Sequence, residues 1–121
     1  MPGFELFGEE EKKQVNEVLE TGILMRYGFD GPRNGMWKSK ELEAAVCSTF
    51  GAQYAQLTSS GTAALTTAMA ALGVGAGDEV IMPAFTFVAS FEAILSMGAI
   101  PVLVDIDESL TLSPAAVKAA I

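Results

Sequence analysis

The residues of this chain best suited to chemistry fall in three places. The first is Thr58-Ser59-Ser60-Gly61-Thr62, set between a short strand pattern and an uncharged helical run from Gly61 to Leu72. The first amides of a helix have no partner inside it, they point outward, and the helix dipole favours negative charge there. Gly61 lets a ligand approach the backbone closely, and the hydroxyls of Ser60 and Thr62 add hydrogen bonds. Such a turn suits a phosphate; the plain alternative is that Ser60 only caps the helix. An anion at a helix end gains about 0.3–2 kcal/mol, whereas micromolar binding needs about 8 kcal/mol. The turn can anchor a phosphate but cannot hold a ligand unaided.

The second place is Pro83-Ala84-Phe85-Thr86-Phe87, directly after an apolar strand pattern. Ligands of open parallel sheets sit beyond the carboxyl ends of strands, and the phosphate turn is expected to open on the same edge. An aromatic there can stack on a flat heteroaromatic ring, worth about 0.5–1.5 kcal/mol beyond burial. The alternative is that Phe85 and Phe87 belong to the core, and at least one of them is expected there. The third place is the segment 25–40. It holds Arg26, Arg33, Lys38 and Lys40 against Asp30 alone, a local charge of 4 − 1 = +3 on a chain of net charge −8. Arginine grips carboxylates in bidentate fashion, so Arg26 and Arg33 suit an anionic substrate or donor. The alternatives are an Arg33–Asp30 pair and lysines on a solvated helix face.

Other chemistries are excluded. The sequence has no histidine and one cysteine, Cys47. That removes a Ser-His-Asp triad, a cysteine–histidine zinc site and an internal disulfide. Asp105 and Asp107 lack a third ligand nearby, so no metal is expected. Gly73-Val74-Gly75-Ala76-Gly77 follows a helix pattern and opens a strand, which makes it a cap and turn rather than a dinucleotide loop. The acidic balance argues against nucleic acid and anionic membranes as partners. The start has no basic and apolar leader pattern and no apolar run is long enough to span a bilayer, so a cytoplasmic setting is the expectation.

The elements that must position these residues follow from periodicity. Glu9 to Glu20 reads as a surface helix, 22–37 as a long irregular loop, and Lys38 to Phe50 as a second helix stopped by Gly51. Strands are expected at 53–58, 79–82 and 100–106, with helices at 61–72, 87–97 and from Ser113-Pro114. Apolar strands alternating with helices imply an α/β fold with a mostly parallel sheet between helices. The helix from Gly61 is small or apolar all round and is expected to be covered on every side. Three strands are too few for that, so the chain is expected to be the N-terminal portion of a larger enzyme. The organisation expected is 1–51 as N-terminal helices and a substrate loop, and 52–121 as the first part of a larger domain.

Four ordered motifs carry a resemblance. Thr58-Ser59-Ser60-Gly61-Thr62-Ala63-Ala64-Leu65, Gly77-Asp78-Glu79-Val80-Ile81, Phe85-Thr86-Phe87-Val88-Ala89 and Gly98-Ala99-Ile100-Pro101-Val102 resemble the DegT/StrS family of pyridoxal-phosphate-dependent sugar aminotransferases. The resemblance implies the large domain of the aspartate-aminotransferase-like (type I) fold, pyridoxal 5'-phosphate as cofactor, and a homodimer. It places the cofactor phosphate on Ser60, Gly61 and Thr62 and the cofactor ring against Phe87. Residues 22–40, with Arg26-Tyr27-Gly28-Phe29-Asp30, Arg33-Asn34-Gly35 and Trp37-Lys38, look like the subgroup that makes 8-amino-3,8-dideoxy-manno-octulosonate for lipopolysaccharide. That likeness implies glutamate as amino donor, an oxidised octulosonate as acceptor, and Arg26, Tyr27 and Arg33 as substrate-binding residues. The family's Schiff-base lysine matches none of Lys12, Lys13, Lys38, Lys40 or Lys118, so this segment is expected to hold no catalytic residue and to be inactive alone. Alternatives are a nucleotide-sugar aminotransferase, a sugar dehydratase of the same fold, and, from another class, a non-catalytic α/β interaction module.

Overall fold

The structure, a computed structural model, describes residues 3–121, which divide into two compact units, one ending at Leu57 and one running from Thr58 to Ile121. In the first unit, a single 3-10 turn at Phe4–Leu6 precedes helix α1 (Glu9–Thr21). Glu9, Glu10 and Glu11 fill its first turn, where the helix dipole favours carboxylates. The Glu11 side chain accepts from the Gly8 amide at 2.7 Å, closing the N-terminus.

The stretch 22–37 is irregular as expected, except for one helical turn, α2 (Asp30–Arg33). Phe29 and Asn34 flank that turn and both adopt left-handed backbone, with φ of 62° and 51°. Helix α3 (Lys38–Phe50) has the bounds its periodicity predicts. It stops at Gly51, whose φ of +67° is a conformation that a side chain would strain. The strand expected at 53–58 does not form among the described residues. A strand requires a neighbour for its amides and carbonyls. The Leu57 amide instead donates to the Glu43 carboxylate on α3 at 2.7 Å.

The second unit runs α4 (Gly61–Ala71), β1 (Glu79–Pro83), α5 (Val88–Ser96), β2 (Ile100–Val104) and α6 (Pro114–Ala120). β1 and β2 pair in parallel, with Glu79 opposite Ile100 and Pro83 opposite Val104. A parallel pair needs a crossover, which α5 makes. The N-terminus of α5 therefore lies beyond the carboxyl end of β1. The predicted helix 87–97 is shorter by its two caps, Phe87 and Met97, and the predicted strand 100–106 stops at Val104, where β1 ends. Met82, Ile94 and Ala99 form the buried centre, with Met69, Val74, Val80 and Met97 packed against it. Gly98, at φ +72°, turns the chain from α5 into β2 where a Cβ would meet that of Ala76 at 3.5 Å.

Within this segment α4 is covered on one side only. It packs on α5, yet none of its residues is buried and Leu65 is exposed. α6 starts as its sequence predicts: the Ser113 hydroxyl accepts from the Ala116 amide at 3.3 Å, and Pro114 takes the first helical position. Among the described residues no helix is long and apolar enough to cross a membrane.

Candidate functional site: an anion turn and a stapled cationic loop

In the second unit, the turn before α4 is built by its own hydroxyls. Ser60 adopts extended backbone, and its Oγ accepts from the Ala63 amide at 3.1 Å. The Thr58 hydroxyl donates to the Ser60 carbonyl at 2.9 Å, and the Ala64 amide closes the first helical bond to the same carbonyl at 3.0 Å. Ser60 is thus a helix cap, as the plainer alternative has it. Two amides remain, those of Gly61 and Thr62, for which no acceptor occurs among the described residues; the Thr62 hydroxyl has no partner there either. No carboxylate occupies the first turn of α4, and a Cβ built on Gly61 would meet nothing within 4 Å. Two free amides and a free hydroxyl at a helix N-terminus open to approach are a donor set that fits a phosphate.

Phe87 caps α5 beyond the carboxyl end of β1. Phe85 and Phe87 are 66% and 77% exposed, so the expectation that one of them lies in the core is corrected. Both stand on the short link between the end of β1 and the first turn of α5, and nothing among the described residues covers it. The Thr86 and Ser90 hydroxyls, 3.1 Å apart, tie that link to the helix. Gly61 and Phe87 belong to the same compact unit, at the starts of two helices that pack on each other.

The cationic segment belongs to the first unit, and its charges are spoken for. Arg26 pairs with Glu43 at 2.6 Å, with the arginine side chain 42% and the glutamate 12% exposed. The Gln56 amide oxygen lies 3.5 Å from the same guanidinium nitrogen. Glu43 also accepts from the Leu57 amide, and this bond, more than the arginine, holds its carboxyl below the usual glutamate value, against a smaller opposing effect of burial. Tyr27 is exposed.

Arg33 makes no ion pair with Asp30. It is 6% exposed, and its guanidinium donates to the carbonyls of Gly28, at 2.9 Å, and Met25. Of the two lysines expected on a solvated face, Lys40 is exposed as expected and Lys38 is half-buried. Lys38 bonds Glu17 of α1 at 2.8 Å, which raises the lysine pKa and lowers that of the glutamate. Lys40 stands 3.7 Å from the Trp37 ring centroid. Glutamates of the two helices thus pair two of the segment's four cations, Arg26 and Lys38. Glu43 is a functional candidate that residue spacing did not single out, because its partners Arg26 and Leu57 lie 17 and 14 residues away. No cluster of metal-ligating side chains occurs among the described residues.

The fold is α/β, a parallel sheet flanked by helices, and it matches solved pyridoxal-phosphate enzymes. The chain belongs to the DegT/DnrJ/EryC1/StrS aminotransferase family, whose profile matches residues 6–121. Among solved structures it is similar to 3-amino-5-hydroxybenzoic acid synthase, at 35% identity and a TM-score of 0.84, over 99% of this chain and 30% of that one. It is similar to NtdA of Bacillus subtilis with bound pyridoxamine phosphate, at 31% identity and TM-score 0.79, over 96% and 26%. It also resembles a GDP-4-keto-6-deoxymannose-3-dehydratase holding a trapped PLP–glutamate geminal diamine, at 26% identity and TM-score 0.76, over 95% and 29%. The chain thus spans between 26% and 30% of the length of these proteins.

Proposed function

We propose that this chain works as the cofactor-phosphate portion of a pyridoxal-phosphate-dependent sugar aminotransferase, with 1–51 carrying the substrate loop and 52–121 beginning the cofactor-binding large domain. The observation that carries this reading is the pair of free amides at Gly61 and Thr62 beside the free Thr62 hydroxyl. Ser60 shapes the turn, Gly61 and Thr62 donate to the phosphate, and Phe87 lies against the cofactor ring. When bound, the cofactor supplies the electron sink that lets an amino group pass from donor to acceptor carbon. The lysine that anchors it covalently lies outside this segment.

The acceptor is an aldehyde of an oxidised octulosonate destined for lipopolysaccharide, and the donor is glutamate. Support comes from the Arg26-Tyr27-Gly28-Phe29-Asp30 and Arg33-Asn34-Gly35 motifs. Arg26 and Tyr27, both solvent-accessible, meet the sugar acid, whereas Arg33 serves the loop from within. A cytoplasmic homodimer completes the reading. The likeness to a dehydratase of the same fold favours a second reading, sugar dehydration, in which a histidine stands at the lysine position.

The test uses the complete gene product with added cofactor. An absorption band near the visible–ultraviolet boundary and glutamate-dependent amination of the octulosonate aldehyde are expected. No band after cofactor addition sinks the cofactor assignment. A band with a deoxygenated, unaminated product selects the dehydratase.

A further inference from the structure

Between Gly22 and Trp37 one residue, Phe29, is held against its backbone preference, among neighbours that tolerate it. Gly28, Phe29, Asn34 and Gly35 all have positive φ, at 72°, 62°, 51° and 78°. For Phe29 that conformation is rare and persists only where surrounding structure imposes it. No ion pair within the loop imposes it: Arg26 pairs with Glu43 and Lys38 with Glu17, both on flanking helices.

Arg33 is the side chain that bonds across the segment. Its Nε donates to the Gly28 carbonyl at 2.9 Å, and one terminal nitrogen donates to the Met25 carbonyl. Its guanidinium carbon lies 4.2 Å from the Trp37 ring centroid. Its own amide donates to the Phe29 carbonyl at 3.1 Å. The two carbonyls held by the side chain belong to the residues on either side of Arg26-Tyr27. A buried guanidinium with carbonyls and a ring face as partners, and no carboxylate among the described residues, is an uncommon use of a charge. A planar fork with several donors meets two carbonyls and a ring face at once, which the single ammonium of lysine cannot.

We propose that Arg33 is the positioning residue of the substrate loop. Its guanidinium, supported by Trp37, holds the carbonyls of Met25 and Gly28 so that Arg26 and Tyr27 present one arrangement to the acceptor. The role in catalysis rests on the reading that Arg26 and Tyr27 meet the sugar acid. The hold on the loop does not.

The experiment places Arg33→Lys in the complete gene product and measures four quantities. These are acceptor KM, kcat, cofactor Kd, and the emission of Trp37 isolated by difference from Trp37→Phe. Acceptor KM is expected to rise about tenfold, the effect of losing one charge-assisted hydrogen bond. The cofactor Kd and kcat stay near wild type, and Trp37 emission shifts. An unchanged KM in a folded protein overturns the proposal, as does a parallel loss of cofactor affinity, which marks general damage. If Arg33→Lys does not fold, Trp37→Leu decides: it keeps both carbonyl bonds, and an acceptor KM equal to wild type overturns the supporting role of the ring and with it the proposal. If the wild-type protein aminates no sugar acid, the functional reading fails instead. The loop then answers alone: unchanged Trp37 emission and unchanged proteolysis of residues 22–37 in Arg33→Lys overturn its stapling.

Discussion

Replacing Thr62 with valine removes one oxygen from the anion turn and keeps its shape. Thr62 is the second residue of α4, and its hydroxyl has no partner among the described residues, so the substitution breaks no internal bond. Valine and threonine have similar helix propensities, and the expected change in stability is within about 0.5 kcal/mol. A hydroxyl donating to a phosphate contributes about 1.5–3 kcal/mol as a charge-assisted bond. Cofactor Kd should therefore rise by about 10- to 150-fold. The assay is an absorbance titration of the complete gene product with pyridoxal phosphate and, separately, with phosphate-free pyridoxal. The amides of Gly61 and Thr62 survive the substitution, so phosphate binding is weakened rather than abolished. The loss should appear for the phosphorylated ligand and vanish for pyridoxal. An equal loss for both ligands, or none for either, would refute the reasoning, because it would mean that the phosphate does not meet Thr62.

Ile94 sits at the buried centre of the second unit, against Met82 and Ala99, so Ile94→Ala should cost about 2–5 kcal/mol in chemical denaturation. A cost below about 1 kcal/mol, the size of an ordinary surface change, would mean that this cluster is not a packed core. Glu43 should give the first unit an acid-sensitive bond. The Leu57 amide, and after it Arg26, holds its folded pKa below the usual value despite the opposing effect of burial. A depressed carboxyl contributes stability that is present above the unfolded pKa and lost as pH falls through the folded one. The stability advantage of wild type over Glu43→Gln should thus be full at neutral pH and shrink below the ordinary glutamate value of about 4.3. Denaturation midpoints of the two proteins at neutral and acid pH measure it, and a pH-independent difference counts against the charged pair.

Much of the architecture was legible because its signals are local. The helix Lys38–Phe50 is announced by its spacing and by Gly51, and the start of α6 by Ser113-Pro114. Each device acts over three or four residues, a range that a sequence displays directly. The anion turn is legible on the same ground. A helix N-terminus frees its first amides wherever it occurs, and Ser60 capping Ala63 leaves those of Gly61 and Thr62. The strand expected at 53–58 was not legible, because a strand depends on a partner that a local pattern cannot supply.

By itself, then, the order of residues along this chain determined the longer helices and the donor set of the turn, since backbone geometry and capping dictate them at short range. Tertiary structure alone decided where the charges went. Arg26 found Glu43 seventeen residues away and Lys38 found Glu17 twenty-one residues away. Arg33 turned inward to two carbonyls and a ring, and Phe87 stayed outside the core. A charged or aromatic side chain is drawn to whichever partner the folded backbone brings within reach, and its own sequence neighbourhood does not name that partner.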